Sequence, residues 1–284
     1  FDGISSSIFI KTLSTIYGRV LKGTMPYYAE KRASYLEIAD SENAWLKTEE
    51  ANAQRTFWEK ELEGELPILD FPFIANEKGE NIGQRASIEI SQELVNKMEQ
   101  YAGENGITEF TMLLAAYGLL LHKYTHMDDI VIGTPFAGRH NSASYSMVGN
   151  FINTLPVRLR FEKNETVREY VAKVWSSFKN VYDNQRLPFD EIVNIVNASR
   201  TAEALPVYQT LFVFQNYYEN SVQLPGIMVE SCFIHNGSTK FDISMSVGKE
   251  TNKMECVFEY NQSKIPEWMI ENMKRHYVNI LSCM

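Results

Sequence analysis

The segment TEFTMLLAAYGLLLHKYTHMDDIVIGTP (108–135) limits the folds open to this chain more than any other. Residues 108–125 have the length and apolar content of a buried helix, and DDIVIGTP is a short buried strand running into a Gly/Pro turn. Elements enclosed this fully need neighbours on several sides, so the chain must build layers of helix against sheet. The longest apolar run, MLLAAYGLLL (Met112 to Leu121), is too short to span a bilayer.

The flanking segments supply those layers. Residues 4–21 place Ile8, Phe9, Leu13, Ile16, Tyr17 and Val20 at helical spacing, and a second helix is expected over 45–64 with Gly64 at its end. The aperiodic stretch 66–84 reads as the connection between two lobes. RASIEI alternates like a strand, 91–106 is an amphipathic helix, and TLPVRLRF has the pattern of a half-exposed strand. Thr166 and Glu169 form a capping box that opens a helix over 166–184, with Trp175, Phe178 and Tyr182 expected in the core. QTLFVFQN, GIMVESCFI, FDISMSV and MECVFEYN read as strands. Pro266 opens a last helix that turns Trp268, Met269, Met273, Tyr277, Ile280 and Leu281 inward. The fold class is therefore α/β or α+β in two lobes, with residues 1–80 ending the first lobe and 81–284 forming the second.

Charge and cysteine content narrow the function classes. Twenty-seven basic against 36 acidic residues give a net charge of −9. An acidic chain without a basic stripe argues against nucleic acid or an anionic membrane as partner. Cys232, Cys256 and Cys283 form no CxxC pair, which speaks against a disulfide framework or zinc site and fits a reducing, cytoplasmic setting. His122 and His126 stand four apart, but no third ligand accompanies them, so no metal is expected.

Four further segments carry the functional signal: DIVIGTPFAGRHN (129–141), VGNFINTLPVRLR (148–160), NQRLPFDEIV (184–193) and LPVYQTLFVFQN (205–216). In this order and spacing they resemble the condensation domains of non-ribosomal peptide synthetases. YLEIA with Trp45, and TKFDISMSV, are similar to two more elements of that family, and the opening FDGIS is similar to the end of its H-H-x-x-x-D-G signature. The resemblance implies a chloramphenicol-acetyltransferase-like fold, two lobes with a tunnel between them. It also implies peptide-bond formation between aminoacyl and peptidyl thioesters held on the phosphopantetheine arms of carrier proteins, with no cofactor bound directly. Both His of the signature would precede residue 1, and Asn184 stands where the family has another His. The chain alone is therefore expected to be inactive, needing the N-terminal part of its domain and adjacent synthetase domains as partners.

The candidate site residues follow. Asp2 is too acidic to take a proton from an ammonium near neutral pH; it either pairs, buried, with Arg139 or caps the helix that starts near Ser5. Gly3 either permits a close backbone approach beside the reacting centre or is a turn glycine. Asn153 and Thr154 precede a strand, where they satisfy local backbone groups or line the tunnel. Gln215 and Asn216 end an apolar strand, facing a cavity or a turn. Ser244 shares a strand face with Ser246 and is a candidate oxyanion donor or a passive core serine. Ser6 leans against an epimerising relative. Asp2 and Ser5 fit half of the cyclising pattern D-x-x-x-x-D-x-x-S, and Gly3 returns the balance to condensation. A catalytically silent binding module of the same fold is the second reading.

Overall fold

The computed structural model describes residues 1–24, 34–71, 82–196, 207–216, 224–229, 234–250 and 253–284. Eight helices and six strands are described: α1 (Gly3–Leu21), α2 (Tyr35–Trp45), α3 (Glu49–Glu61), β1 (Gly83–Ile90), α4 (Gln92–Asn105), α5 (Glu109–Thr125), β2 (Asp129–Phe136), β3 (Asn153–Arg160), α6 (Val167–Asp183), α7 (Phe189–Ile195), β4 (Thr210–Asn216), β5 (Ile243–Glu250), β6 (Lys253–Asn261) and α8 (Glu267–Cys283). The strands form one mixed sheet in the order β1-β6-β5-β4-β2-β3. β2, β4 and β5 run parallel, and β1, β3 and β6 pair antiparallel with their neighbours.

Helix α5 is the centre of the helical layer and packs on α4, α6 and α8 as well as on β2 and β4. Its Met112 to Tyr117 are at most 1% exposed, as its sequence demands. Each buried tyrosine hydroxyl at this layer has a partner, as burial requires. Tyr117 meets Thr210 Oγ1 at 2.7 Å, Tyr170 donates to Ala115 O, and Tyr277 donates to Leu113 O. Burial raises the pKa of all three phenols, which stay protonated.

Four local expectations need correction. The helix expected over 45–64 starts later, as α3 at Glu49 with Thr48 as its cap, and an unexpected helix α2, opened by the capping box of Ser34 and Glu37, precedes it and ends at Trp45. β3 is buried from Leu155 to Leu159 although it is an edge strand. Arg158 explains this: it pairs with Asp129 at 2.7 Å and donates to the carbonyls of Glu63 and Glu65, strapping the segment after α3 across the sheet edge. Trp268 is 62% exposed at the first turn of α8, while Met269, Met273, Tyr277 and Leu281 are buried. Of the strand expected from Gly226, residues 226–229 contribute only one isolated bridge, Leu224 with Ile227. Residues 230–233 of that expected strand lie outside the described residues, and Ile234 at its end is exposed and in no strand.

No described helix is long and apolar enough to cross a membrane. The described residues hold no cluster of three metal-ligating side chains. His122 instead stacks on Phe161 with ring centres 4.2 Å apart and bonds the Met127 carbonyl through Nδ1.

Candidate active-site region

The loop leaving β2 reaches the start of α1 because of one glycine. Gly138 has φ +62°, and a Cβ there would lie 1.8 Å from the Phe151 carbonyl oxygen. Only glycine permits this approach, which brings the next residue, Arg139, under α1.

Arg139 and Asp2 form the deepest ion pair of the described residues, with side chains 0% and 2% exposed. Nη2 of Arg139 donates to both carboxylate oxygens, at 2.9 and 3.0 Å, and to Ser5 Oγ at 3.1 Å. Nη1 donates to the carbonyls of Ser144 and Met147, and the guanidinium lies 4.2 Å over the Phe151 ring. Asp2 also caps α1, Oδ1 accepting from the Ser5 amide at 2.8 Å, while Oδ2 accepts from the Phe151 amide. Ser5 Oγ donates to Gly149 O and accepts from Gly149 N. The two readings of Asp2, buried partner and helix cap, are thus both present in one geometry.

The carboxyl's titration follows. Burial alone would push its pKa up, but hydrogen bonds from Ser5, Arg139 and the Phe151 amide outweigh that and hold it below the usual carboxylate range. Asp2 stays ionised and fully engaged, which suits a positioning group and not a proton acceptor.

The other expected residues divide clearly. Gly3 is the first residue of α1, and a Cβ there would meet nothing within 4 Å. Among the described residues the close backbone approach is that of Gly138, and the space around Gly3 is open. Asn153 has a saturated amide: Nδ2 donates to the carbonyls of Gln185 and Leu187, and Oδ1 accepts from the Phe189 amide. It fixes the turn between α6 and α7. Thr154 is half-buried opposite Pro135 in the β2–β3 register. Gln215 is exposed at the end of β4, paired in register with Gly248. Asn216 follows it opposite Lys249, with its side chain outside the described residues. Ser244 is half-buried, its Oγ 3.5 Å from the Glu259 carbonyl, and is in register with Leu211, which pairs with Gly133. The structure brings Asp2 and Arg139 together, with Gly3 next to Asp2 in the chain, and places Ser244 on β5 of the sheet.

Sequence reasoning missed Ser5, Gly149 and Phe151 as parts of this lock. Asp2 and Ser5 at i and i+3 carried the cap signal, but nothing local pairs Ser5 with a residue 144 positions on. It also missed the grip on the α6–α7 turn from α3. Trp58 Nε1 donates to Asn184 O, and Gln54 accepts from the Leu187 amide. Arg186 pairs with Glu42 at 3.0 Å and lies 4.3 Å over Trp45.

The condensation-domain family model matches residues 1–284. The chain belongs to the condensation domain family. Bacitracin synthase 1 of Bacillus licheniformis is 31% identical over 283 residues, which are 99% of this chain and 5% of that synthase. Tyrocidine synthase 2 of Brevibacillus parabrevis is 30% identical over 287 residues, 100% of this chain and 8% of the relative. Among solved structures, the X-domain in complex with OxyB from teicoplanin biosynthesis gives a TM-score of 0.87 at 20% identity, covering 99% of this chain and 64% of that one. The first condensation domain of the CDA synthetase gives 0.77 at 18%, covering 99% and 61%. The condensation-domain chain thus has the chloramphenicol-acetyltransferase-like fold and spans only 5% and 8% of the length of these two synthases.

Proposed function

We propose that the chain is the larger part of a domain that forms a peptide bond between donor and acceptor thioesters carried on phosphopantetheine arms. Its partners are then carrier proteins and adjacent synthetase domains, in the cytoplasm. The observation that carries this reading is the lock of Asp2, Ser5 and Arg139 at the start of α1, buried although it joins residues 137 positions apart. Such a lock fixes the backbone entering α1, where the family signature carries its His pair.

The division of labour follows from chemistry. The amine must be neutral, close to the thioester carbonyl and correctly aimed, and most of the rate comes from that positioning. Asp2 and Arg139 hold the approach loop rigid and take no proton. Asn153 holds the α6–α7 turn. Gln215, Asn216 and Ser244 belong to the acceptor side, Ser244 as a hydroxyl on the sheet. Residues 1–80 close the first lobe and 81–284 form the second. The apolar side chains that α1 leaves exposed, Phe9, Leu13, Val20 and Leu21, support a covering lobe there.

The test is reconstitution. The protein carrying residues 1–284 with its preceding segment is given two loaded carrier proteins, and dipeptidyl thioester is measured. Amide formation that falls with Arg139→Lys while the fold survives is the expected result. No amide, under conditions where a control domain condenses, would leave the silent binding module. The likeness in fold to the teicoplanin X-domain, solved in complex with OxyB, favours that second reading over epimerisation or cyclisation.

A further inference from the structure

A cavity of about 360 Å³ opens at the end of β2, beside the turn that carries Arg139. Four elements supply its rings, Phe110 on α5, Phe136 on β2, Phe178 and Tyr182 on α6, and Phe214 on β4, and the loop 137–140 with Tyr145 and Gln185 completes the lining. Four of the rings form a continuous set. Phe110 and Phe178 have centres 4.3 Å apart, Phe136 stacks on Phe178 at 5.8 Å, and Phe136 and Tyr182 are 6.3 Å apart. Phe178 is half-buried and packs against the core, as expected, whereas Tyr182, also expected there, is 55% exposed.

The electrostatics of the wall are as informative as its shape. Among the described residues no Asp, Glu or Lys lines the cavity; Arg139 and His140 do, the guanidinium bonding Asp2, Ser5 and two carbonyls through Nη1 and Nη2 while its buried Nε has no partner. A cationic guest would lose its hydration and find no carboxylate, and an anionic one would meet an arginine already paired with Asp2 and a histidine whose burial lowers its pKa. An uncharged ring gains aromatic contacts on several sides, in edge and stacked orientations. A volume near 360 Å³ suits one side chain with its adjoining amide, and Gln185 and Tyr145 supply hydrogen-bonding groups to the lining.

We propose that this cavity is a specificity pocket for an uncharged aromatic side chain on an aminoacyl or peptidyl substrate. The proposal rests on the condensation reading for where that substrate comes from. It makes Phe178 and Tyr182 the specificity-determining residues and leaves Asp2 and Arg139 to positioning.

The experiment has two arms on the protein carrying residues 1–284 with its preceding segment. In the first, N-acetyl-phenylalanine amide is titrated calorimetrically beside the alanine, lysine and glutamate analogues. The aromatic amide is expected to bind at least about tenfold more tightly than the other three, the size of one or two ring contacts. Tyr182→Ala, at an exposed position, should remove most of that margin without lowering the unfolding midpoint, and Phe178→Leu should reduce it while keeping the volume filled. Equal binding of all four amides would overturn the pocket, as would an aromatic preference that survives both substitutions. In the second arm, loaded carriers bearing phenylalanyl, alanyl and aspartyl groups compete for condensation, and the phenylalanyl product should dominate. Ring-dependent binding in the first arm, with no amide formed from any carrier, would keep the aromatic pocket and overturn the condensation reading. Condensation of all three carriers at equal rates would overturn the specificity role.

Discussion

Two buried arginines do different work. Arg139 and Asp2 join the start of α1 to a loop 137 positions away and are both almost wholly removed from water. Arg158 and Asp129 join the neighbouring strands β3 and β2 on the diagonal, Asp129 facing Arg160 and Arg158 facing Val131, and the Asp129 side chain is 32% exposed. The first pair has carboxylate oxygens occupied by three different chain segments. Each guanidinium holds two carbonyls besides, but only the second pair keeps a carboxylate that water can reach. The difference separates a lock sealed from water from a strap that water can reach.

The largest effect is therefore expected at Asp2. Asp2→Ala leaves Arg139 charged, dry and without its counter-ion, which costs about 3–5 kcal/mol in a chemical unfolding measurement. Asp2→Asn keeps a helix cap and should lie about 1 kcal/mol above the alanine variant, so the gap between the two isolates the cap from the ion pair. The pH dependence carries a sign. The folded pKa of Asp2 is depressed, so its stabilisation is complete above the unfolded carboxylate pKa of about 4 and is lost as pH falls through the lower folded value. Wild type should lose stability in that acid window more steeply than Asp2→Asn. Identical acid limbs would refute the ion-pair account.

Gly138→Ala comes next, at about 3 kcal/mol, because the substitution combines a positive φ with a Cβ driven into the Phe151 carbonyl. Thermal unfolding reads it directly. Asp129→Ala should cost less, about 1–2 kcal/mol, since the Asp129 side chain is 32% exposed and water can take the place of the lost carboxylate beside Arg158. If Asp129→Ala proved as costly as Asp2→Ala, the contrast between the two pairs would collapse.

How much of this was readable before the fold is itself a matter of range. Helix α4 with Ser91 as cap, α6 with its Thr166–Glu169 box, and the buried strand β2 all declare themselves through neighbours in sequence. The break between α2 and α3 was hidden because Trp45 belongs to α2 while Thr48, three residues on, starts the next helix. β3 looked half-exposed because its alternating arginines suggest solvent, yet Arg158 is buried by carbonyls from residues 63 and 65. The site shows the same limit. Arg139 stood out as a partner for Asp2 only through the likeness to the family, whereas the part played by Ser5 depends on Gly149, and that of Asn153 on residues 185–189. Tyr182 lies on the same helix as buried Val181, and only the tertiary position of α6 turns it outward.

The smallest effect is expected at Gly3. The residue starts α1 just after its cap, its φ is not in the left-handed region, and a methyl group there would touch nothing. Gly3→Ala should change stability by no more than about 0.5 kcal/mol, with the lower chain entropy of alanine favouring the folded state. Set beside Gly138→Ala, it asks which of two glycines the fold needs. Amide formation by the complete domain gives the second readout. Unchanged stability with unchanged condensation assigns Gly3 to helix initiation alone. Unchanged stability with a large loss of condensation means that the space beside Gly3 is needed by a substrate or by the loop before it, and the close approach would then be a property of the reacting complex and not of this chain's own packing.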